Sequence, residues 1–540
     1  MSDIEERLRT LARAIGGPDP AATTAARNRI QALAVEAARN TGAPDGLPTP
    51  RRRRVGRRRG LVVLVGAVIV GGATAFGVAN LGGGGPATPV ACQLFADRGA
   101  GPQQLNFYAP ASGVSNAGDA VVSWVARGGR IQAATRVGDG AWGQAQAVSP
   151  QLPRNFLPRS LALTMTADGD ALLGWTSKAT QVVDWTPAAG WGSPRTLKDP
   201  TYRSIPYEPP RLATTDTGNA SALWTVGRRV GYGSSGEASV SDPFPVLARR
   251  APNGEWRVVA ALGGPEGRGP NVPPAGLRAR WNFAPAVALA DNGTITLVGS
   301  GSFPGTAWQR LSPLGGIEAG GFADRRQSYD ASAAGVDAHG NVTALWMRGT
   351  NLVAGTLRAG ARTWRVRVIA NTGLYSPDVA LAVSRGGDAA VAFRGRARGV
   401  RGPRFPSRAP TARVDRDIQA LTYSAADSRW SRAVRLSATG VPATAPRVAI
   451  DGSGRATVAW AEGPNNGQGL TRIKAADGSS GSWSQAVTVS DPASDPIAPA
   501  LAASDNGRAT IAWTGCRGGS AGVYFSEKAG TEWSEPRVIG

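Results

Sequence analysis

A glycine stands six residues before an anchor residue eight times along this chain, and that spacing limits what the chain can fold into. The pairs are Gly118/Trp124, Gly169/Trp175, Gly218/Trp224, Gly293/Gly299, Gly340/Trp346, Gly387/Phe393, Gly454/Trp460 and Gly507/Trp513. Six anchors are Trp, one is Phe and one is lost to Gly299, where Trp281 or Trp308 is expected to fill the gap. After each glycine the second, fourth and sixth residues tend to be apolar, as in Ala456, Val458 and Trp460, while Arg455, Thr457 and Ala459 face the other way. A period of two marks a strand. A second strand precedes each glycine, and in five units it opens with a proline: Pro110, Pro210, Pro285, Pro446 and Pro499. Proline is tolerated at a strand start or at an edge, not inside a ladder. The Asp/Asn-Gly pairs between the two strands signal hairpins.

A second tryptophan series closes each unit: Trp142, Trp191, Trp256, Trp308, Trp364, Trp430, Trp483 and Trp533. It starts a further strand, as in the WSQAVTVS segment, and most units have room for one more strand between the two series. Four strands in about 50 residues, repeated eight times, read as an all-β, eight-bladed β-propeller of four-stranded blades over residues 100–540. A chain of 540 residues is too long for one ordinary core, and a closed ring of repeats escapes that limit. An array of β-sandwiches is the rival, but each sandwich needs ~100 residues.

The closing Trp after a polar turn resembles the Asp-box (BNR) repeat of sialidase-like propellers. The last unit keeps Ser526, Gly530 and Trp533 in that spacing, with Lys528 where the Asp belongs. A sialidase would also carry an arginine trio, a Tyr/Glu nucleophile pair, an Asp acid/base and a Phe/Tyr-Arg-Ile-Pro motif. The nearest string here is Tyr202-Arg203-Ser204-Ile205-Pro206, with an extra Ser. The resemblance implies a propeller, and a fold alone does not fix a function.

Upstream, residues 61–81 hold 21 residues without a charge, enough to cross a ~30 Å hydrocarbon core. Seven arginines between Arg51 and Arg59 stand just before them and put the N-terminus in the cytoplasm by the positive-inside rule. The expected organisation is a cytoplasmic helical segment at 1–48, an Arg-rich juxtamembrane segment at 49–60, a transmembrane helix at 61–81, a Gly/Pro-rich linker at 82–99 and the exported propeller at 100–540. Residues 3–15 read as an amphipathic helix with Ser2 and Glu5 as a capping box, and Asp19-Pro20 starts a second helix. This layout resembles bacterial membrane-anchored regulators such as anti-sigma factors, without the His/Cys zinc motif that many of them carry.

The chemistry available is narrow. There is one histidine, His339, and it occupies a turn slot that small or polar residues fill in other units. With only Cys92 and Cys516 beside it, no zinc cluster is expected, and no catalytic residue, cofactor or metal is assigned. The GGGGP run at 82–86 is a linker and not a phosphate loop, since no strand and helix frame it. Cys92 precedes the first unit and Cys516 lies in the last, so ring closure brings them together as a disulfide candidate on the oxidising side.

The net charge is +22, which favours acidic partners, although nucleic acid is not expected because the Trp residues sit at burying strand positions. Between Phe393 and the next strand the sixth unit carries Arg394, Arg396, Arg398, Arg401, Arg404, Arg408, Arg413 and Arg416, an expected exposed anion-binding loop for an anionic glycan or an acidic protein partner. The reading of function is a membrane-anchored, extracytoplasmic, non-catalytic binding or sensing module. The alternative is a sialidase-like glycoside hydrolase at the cell surface.

Overall fold

The computed structural model describes residues 110–539, apart from 127–128, 153–157, 159, 198–204, 207–209, 233–237, 251–253, 262–284, 301–304, 327, 375–376, 397–415, 464–470, 492–495 and 518–519. The expected cytoplasmic helices, Arg block, membrane span, linker and Cys92 all lie outside the described residues. Among those described, no helix is long and apolar enough to cross a membrane.

The chain forms eight antiparallel sheets in sequence order, each from one contiguous stretch. Blades 1 to 8 span 111–147, 162–197, 205–261, 286–324, 329–371, 379–435, 443–488 and 497–538. Within a blade the strands pair in simple succession, so every register is local. In blades 2, 6, 7 and 8 the outermost strand is broken in two, as at Ser482–Trp483 and Val487–Thr488. The break follows from the residue after the closing Trp. The Ser484 amide bonds to the Asp477 carbonyl at 2.7 Å, and its hydroxyl accepts the Asp477 amide at 3.0 Å, so the serine takes a ladder position for itself.

The first strand of each blade packs beside the first strand of the next, and Ala111–Val114 packs beside Ile497–Ala503, closing an eight-membered ring about a central channel. Pro110, Pro210 and Pro285 stand just before first strands, while Pro446 and Pro499 sit at bulges where the register shifts. Both placements spare the ladder a missing donor.

There is no single core. One apolar layer fills each junction between neighbouring blades, eight in all. The anchor of each blade packs against the preceding blade: Trp513 joins Ala459, Ile473 and Ala475 of blade 7, and Phe393 joins Leu345 and Leu352 of blade 5. The Gly299 gap is filled differently from expectation. Trp308 lies on the third strand of blade 4, faces blade 5 and meets Trp364 at 6.1 Å; it neither fills the gap nor closes its blade. The junction of blades 3 and 4 has an aliphatic layer instead, including Leu223, Leu247, Ile295 and Leu297. Trp281 lies outside the described residues.

Candidate functional site: the channel mouth

The turn between the first and second strands is the same in all eight blades. The amide of its first residue bonds to the carbonyl of its fifth, and the glycine amide bonds back to the first carbonyl, as in Ser115–Asp119 at 2.8 Å and Gly118–Ser115 at 3.2 Å. The eight glycines have φ between 79° and 103°, a left-handed backbone that costs a side chain about 1–2 kcal/mol. This is the three-residue hairpin loop that ends on a left-handed bulge. At Gly454 there is a second reason, since a Cβ would stand 2.5 Å from Asp388 Oδ2 of the preceding blade.

This geometry aims the second turn residue at the channel. Around the ring these residues are Asn116, Ala167, Asp216, Asp291, Ala338, Arg385, Gly452 and Asp505. All but Gly452 line a mouth cavity of about 390 Å³. Turn-to-turn hydrogen bonds belt the mouth at six of the eight junctions, including Asn116 N to Ala167 O (3.1 Å), Ala167 N to Asp216 Oδ1 (2.9 Å), Thr217 Oγ1 to Asp291 O (3.0 Å) and Asp505 N to Asn116 Oδ1 (2.8 Å).

Arg385 reaches from blade 6 to two carboxylates. Its guanidinium pairs with Asp216 of blade 3 and, at 3.1 Å, with Asp291 of blade 4. Below them the hydroxyls of Thr164 and Thr214 bond to each other at 2.8 Å. The mouth therefore presents four carboxylates, Asp216, Asp291, Asp337 and Asp505, with one guanidinium, an Asn amide and hydroxyls on a belted rim. That mixture of donors and acceptors complements a hydroxyl-rich ligand. Among the described residues no group of three or more His, Cys, Asp or Glu is placed to hold a metal ion. Among the described residues, one arginine lines the mouth cavity and no Tyr or Glu does.

The residues singled out in the sequence fall elsewhere. The second strand of blade 6 runs on to Arg396, with Arg394 opposite Ile418 and Arg396 opposite Arg416, so the expected loop does not begin at Phe393. The ladder continues because the third strand already begins at Arg416. Arg394 pairs with Asp378 at 3.1 Å, and the stem of Arg396 packs over Gly373. Arg398, Arg401 and Arg404 lie outside the described residues. Cys516 lies on the second strand of blade 8, opposite Ala521. His339 is an exposed turn residue whose amide donates to Asp337 Oδ1 at 2.9 Å. Of the Tyr202–Pro206 string, Ile205–Pro206 form a short strand against Val226 and Gly227.

Lys528 shows how this chain departs from an Asp-box. Its side chain is 3% exposed, and its ammonium lies 5.5 Å from the Trp533 ring centre and bonds to Asp477 of blade 7 at 2.5 Å and to Thr457 Oγ1 at 3.1 Å. Burial would raise the Asp477 pKa, but the hydrogen bonds from Lys528 and Thr457, with Arg455 at 3.1 Å, hold it below the usual carboxylate range. Lys528 is thus a bolt between blades.

No protein-family model and no curated protein matches the chain. Among solved structures it is similar to the BP39L lectin from Burkholderia pseudomallei, at 14% identity and a TM-score of 0.45, covering 80% of this chain and 99% of that one. It is also similar to an ulvan lyase, at 11% identity and a TM-score of 0.37 over 69% and 81% of the two chains. A third similar structure is the six-bladed lectin of Aleuria aurantia, at 15% identity and a TM-score of 0.33 over 61% and 96%.

Proposed function

We propose that the chain is a membrane-anchored, extracytoplasmic binding or sensing module without catalytic activity, whose propeller takes a hydroxyl-rich ligand of saccharide type at the channel mouth. The observation that carries this reading is the Asp216–Arg385–Asp291 bridge on a rim belted by hydrogen bonds. A guanidinium held between two carboxylates is a poor acid or base and a well-placed donor. The anchor rests on the Arg51–Arg59 block and the uncharged 61–81 segment. A saccharide array probed with full-length protein in detergent tests the mouth: Arg385→Met should lose the wild-type binders while keeping the same melting temperature. Unchanged binding by that variant would sink the assignment. External protease on intact cells should digest the propeller and spare an N-terminal tag.

Two further features belong to the same reading. Arg398, Arg401 and Arg404 supply a contact for an anionic envelope polymer or an acidic partner, which salt-sensitive binding lost on their replacement by Ser would support. Cys92 and Cys516 form a disulfide that ties the chain entering blade 1 to blade 8, worth roughly 5 kcal/mol by the chain-entropy argument. Alkylation of both thiols in the exported protein would exclude the pair.

A further inference from the structure

In three blades the residue facing the closing Trp reaches back to the preceding blade and meets the residue just before its own counterpart there. Lys528 reaches Asp477, Arg136 reaches Glu527 at 2.5 Å, and Arg250 reaches Asp184. Three junctions are bolted by a cation and a carboxylate in this one pair of slots.

At the junction of blades 5 and 6 the same slots hold Tyr423, opposite Trp430, and Thr356, opposite Arg365. Neither can form an ion pair. A cleft of about 300 Å³ opens there, lined by both residues. That volume sits at the small end of ligand sites. Its walls combine the Tyr423/Trp430 ring pair, 5.1 Å apart, with the hydroxyls of Thr343, Thr356 and Ser428. Asp337 also borders it, but its carboxylate already accepts the amides of His339 and Asn341 and the Asn341 side chain. At the rim stand Arg358, Arg365 and Arg367, all exposed and without an ion-pair partner among the described residues.

One backbone feature marks the same spot. Ser428 has φ 51°, one of three non-glycine residues in the left-handed region among those described. A side chain there costs about 1–2 kcal/mol relative to glycine, and such strain concentrates at binding sites. Here it places a hydroxyl on the cleft wall.

We infer that the cleft between blades 5 and 6 binds a carboxylate-bearing saccharide unit, with the acid group on Arg365 and Arg367 and the sugar ring against Tyr423. Guanidinium groups suit carboxylates, and the aromatic edge with flanking hydroxyls suits a polar ring. The cleft adjoins the channel mouth and shares Asp337 and Val383 with it, but Arg365, Arg367 and Tyr423 border the cleft alone and Arg385 the mouth alone.

Titration calorimetry of the full-length protein in detergent tests this, with trigalacturonate as the probe and neutral galactotriose and citrate as comparisons. Trigalacturonate should bind at least tenfold more tightly than either. Arg365→Ser/Arg367→Ser should weaken it at least tenfold. Thr356→Asp/Tyr423→Lys, which installs the bolt found between blades 7 and 8, should abolish binding without lowering the melting temperature. The mouth variant Arg385→Met should bind trigalacturonate as the wild type does. No trigalacturonate binding by the wild type, equal binding of citrate or galactotriose, or loss in Arg385→Met alone would overturn the inference.

Discussion

The junction of blades 7 and 8 and the junction of blades 5 and 6 share a backbone and differ in what fills one pair of slots. In the first, Lys528 and Asp477 are buried against each other and the joint is closed. In the second, Tyr423 and Thr356 leave a cleft with free arginines at its rim. In both, an apolar layer does the main work of holding blades together. The polar slots above that layer are therefore released from the task of holding the ring. One junction uses them to stabilise and the other to present a surface, which is how a repeat can vary its chemistry without losing its fold.

The largest expected effect breaks the bolted side of this contrast. Asp477→Asn leaves the Lys528 ammonium buried without a counter-charge, which costs about 3–5 kcal/mol. Urea denaturation should show that loss, and Asp477→Leu/Lys528→Met should recover part of it, since a buried pair is often replaceable by apolar residues. Thr356→Val at the open junction should change the midpoint far less. If Asp477→Asn were neutral, the bolt would have no energetic meaning.

A smaller effect comes from acid. The Asp477 pKa is lower in the folded protein than in the unfolded chain. Its contribution is thus complete above the ordinary carboxylate value of about pH 4 and is lost as pH falls through the lower folded value. The stability gap between wild type and Asp477→Asn should narrow from about pH 5 downward, whereas Thr356→Val should track the wild type. A gap that stays constant to pH 2 would show that the pair does not hold the proton balance assigned to it. The smallest effect is expected at the outer rim. Arg257 pairs with Glu255 at 2.7 Å, but both side chains are largely in water. Arg257→Ala should leave the denaturation midpoint unmoved.

The blades could be read from the sequence because each one is local. Gly454 and Trp460 lie in one hairpin, so their spacing survives as a written period. The contacts between blades could not be read in the same way. Lys528 and Asp477 are 51 residues apart, and only the register of two separate sheets reveals that one slot faces the other. Blade 4 departs from the pattern for a related reason: Trp308 keeps the period of the closing series, but its polar turn comes after it, at Ser312–Gly316.

The channel mouth leaves no written period in the sequence because its second turn residue changes chemical type around the ring. Asn116, Asp216, Arg385 and Gly452 share only a place before the glycine. A usable signal was present. A position that varies freely inside an otherwise fixed turn is where the turn does something other than fold. Composition reads the arginine run of blade 6 as a loop, yet ladder pairing carries the strand through Arg394 and Arg396.

Blade 8 takes all its strands from residues 497–538 and meets blade 1 through a layer like the others, with Trp124 packed on Val523 and Phe525. Among the described residues no strand is exchanged across that seam, and its two sheets pack like those of the other joints. The ring could be opened at another joint and its old ends fused, giving a circular permutant with the same eight layers. A growing chain, by contrast, meets a strict order. Until residues 497–538 arrive, blade 1 shows water an apolar face that blade 8 covers in the closed ring. Folding during synthesis must shelter that face, and a truncation before residue 497 would leave it open for good.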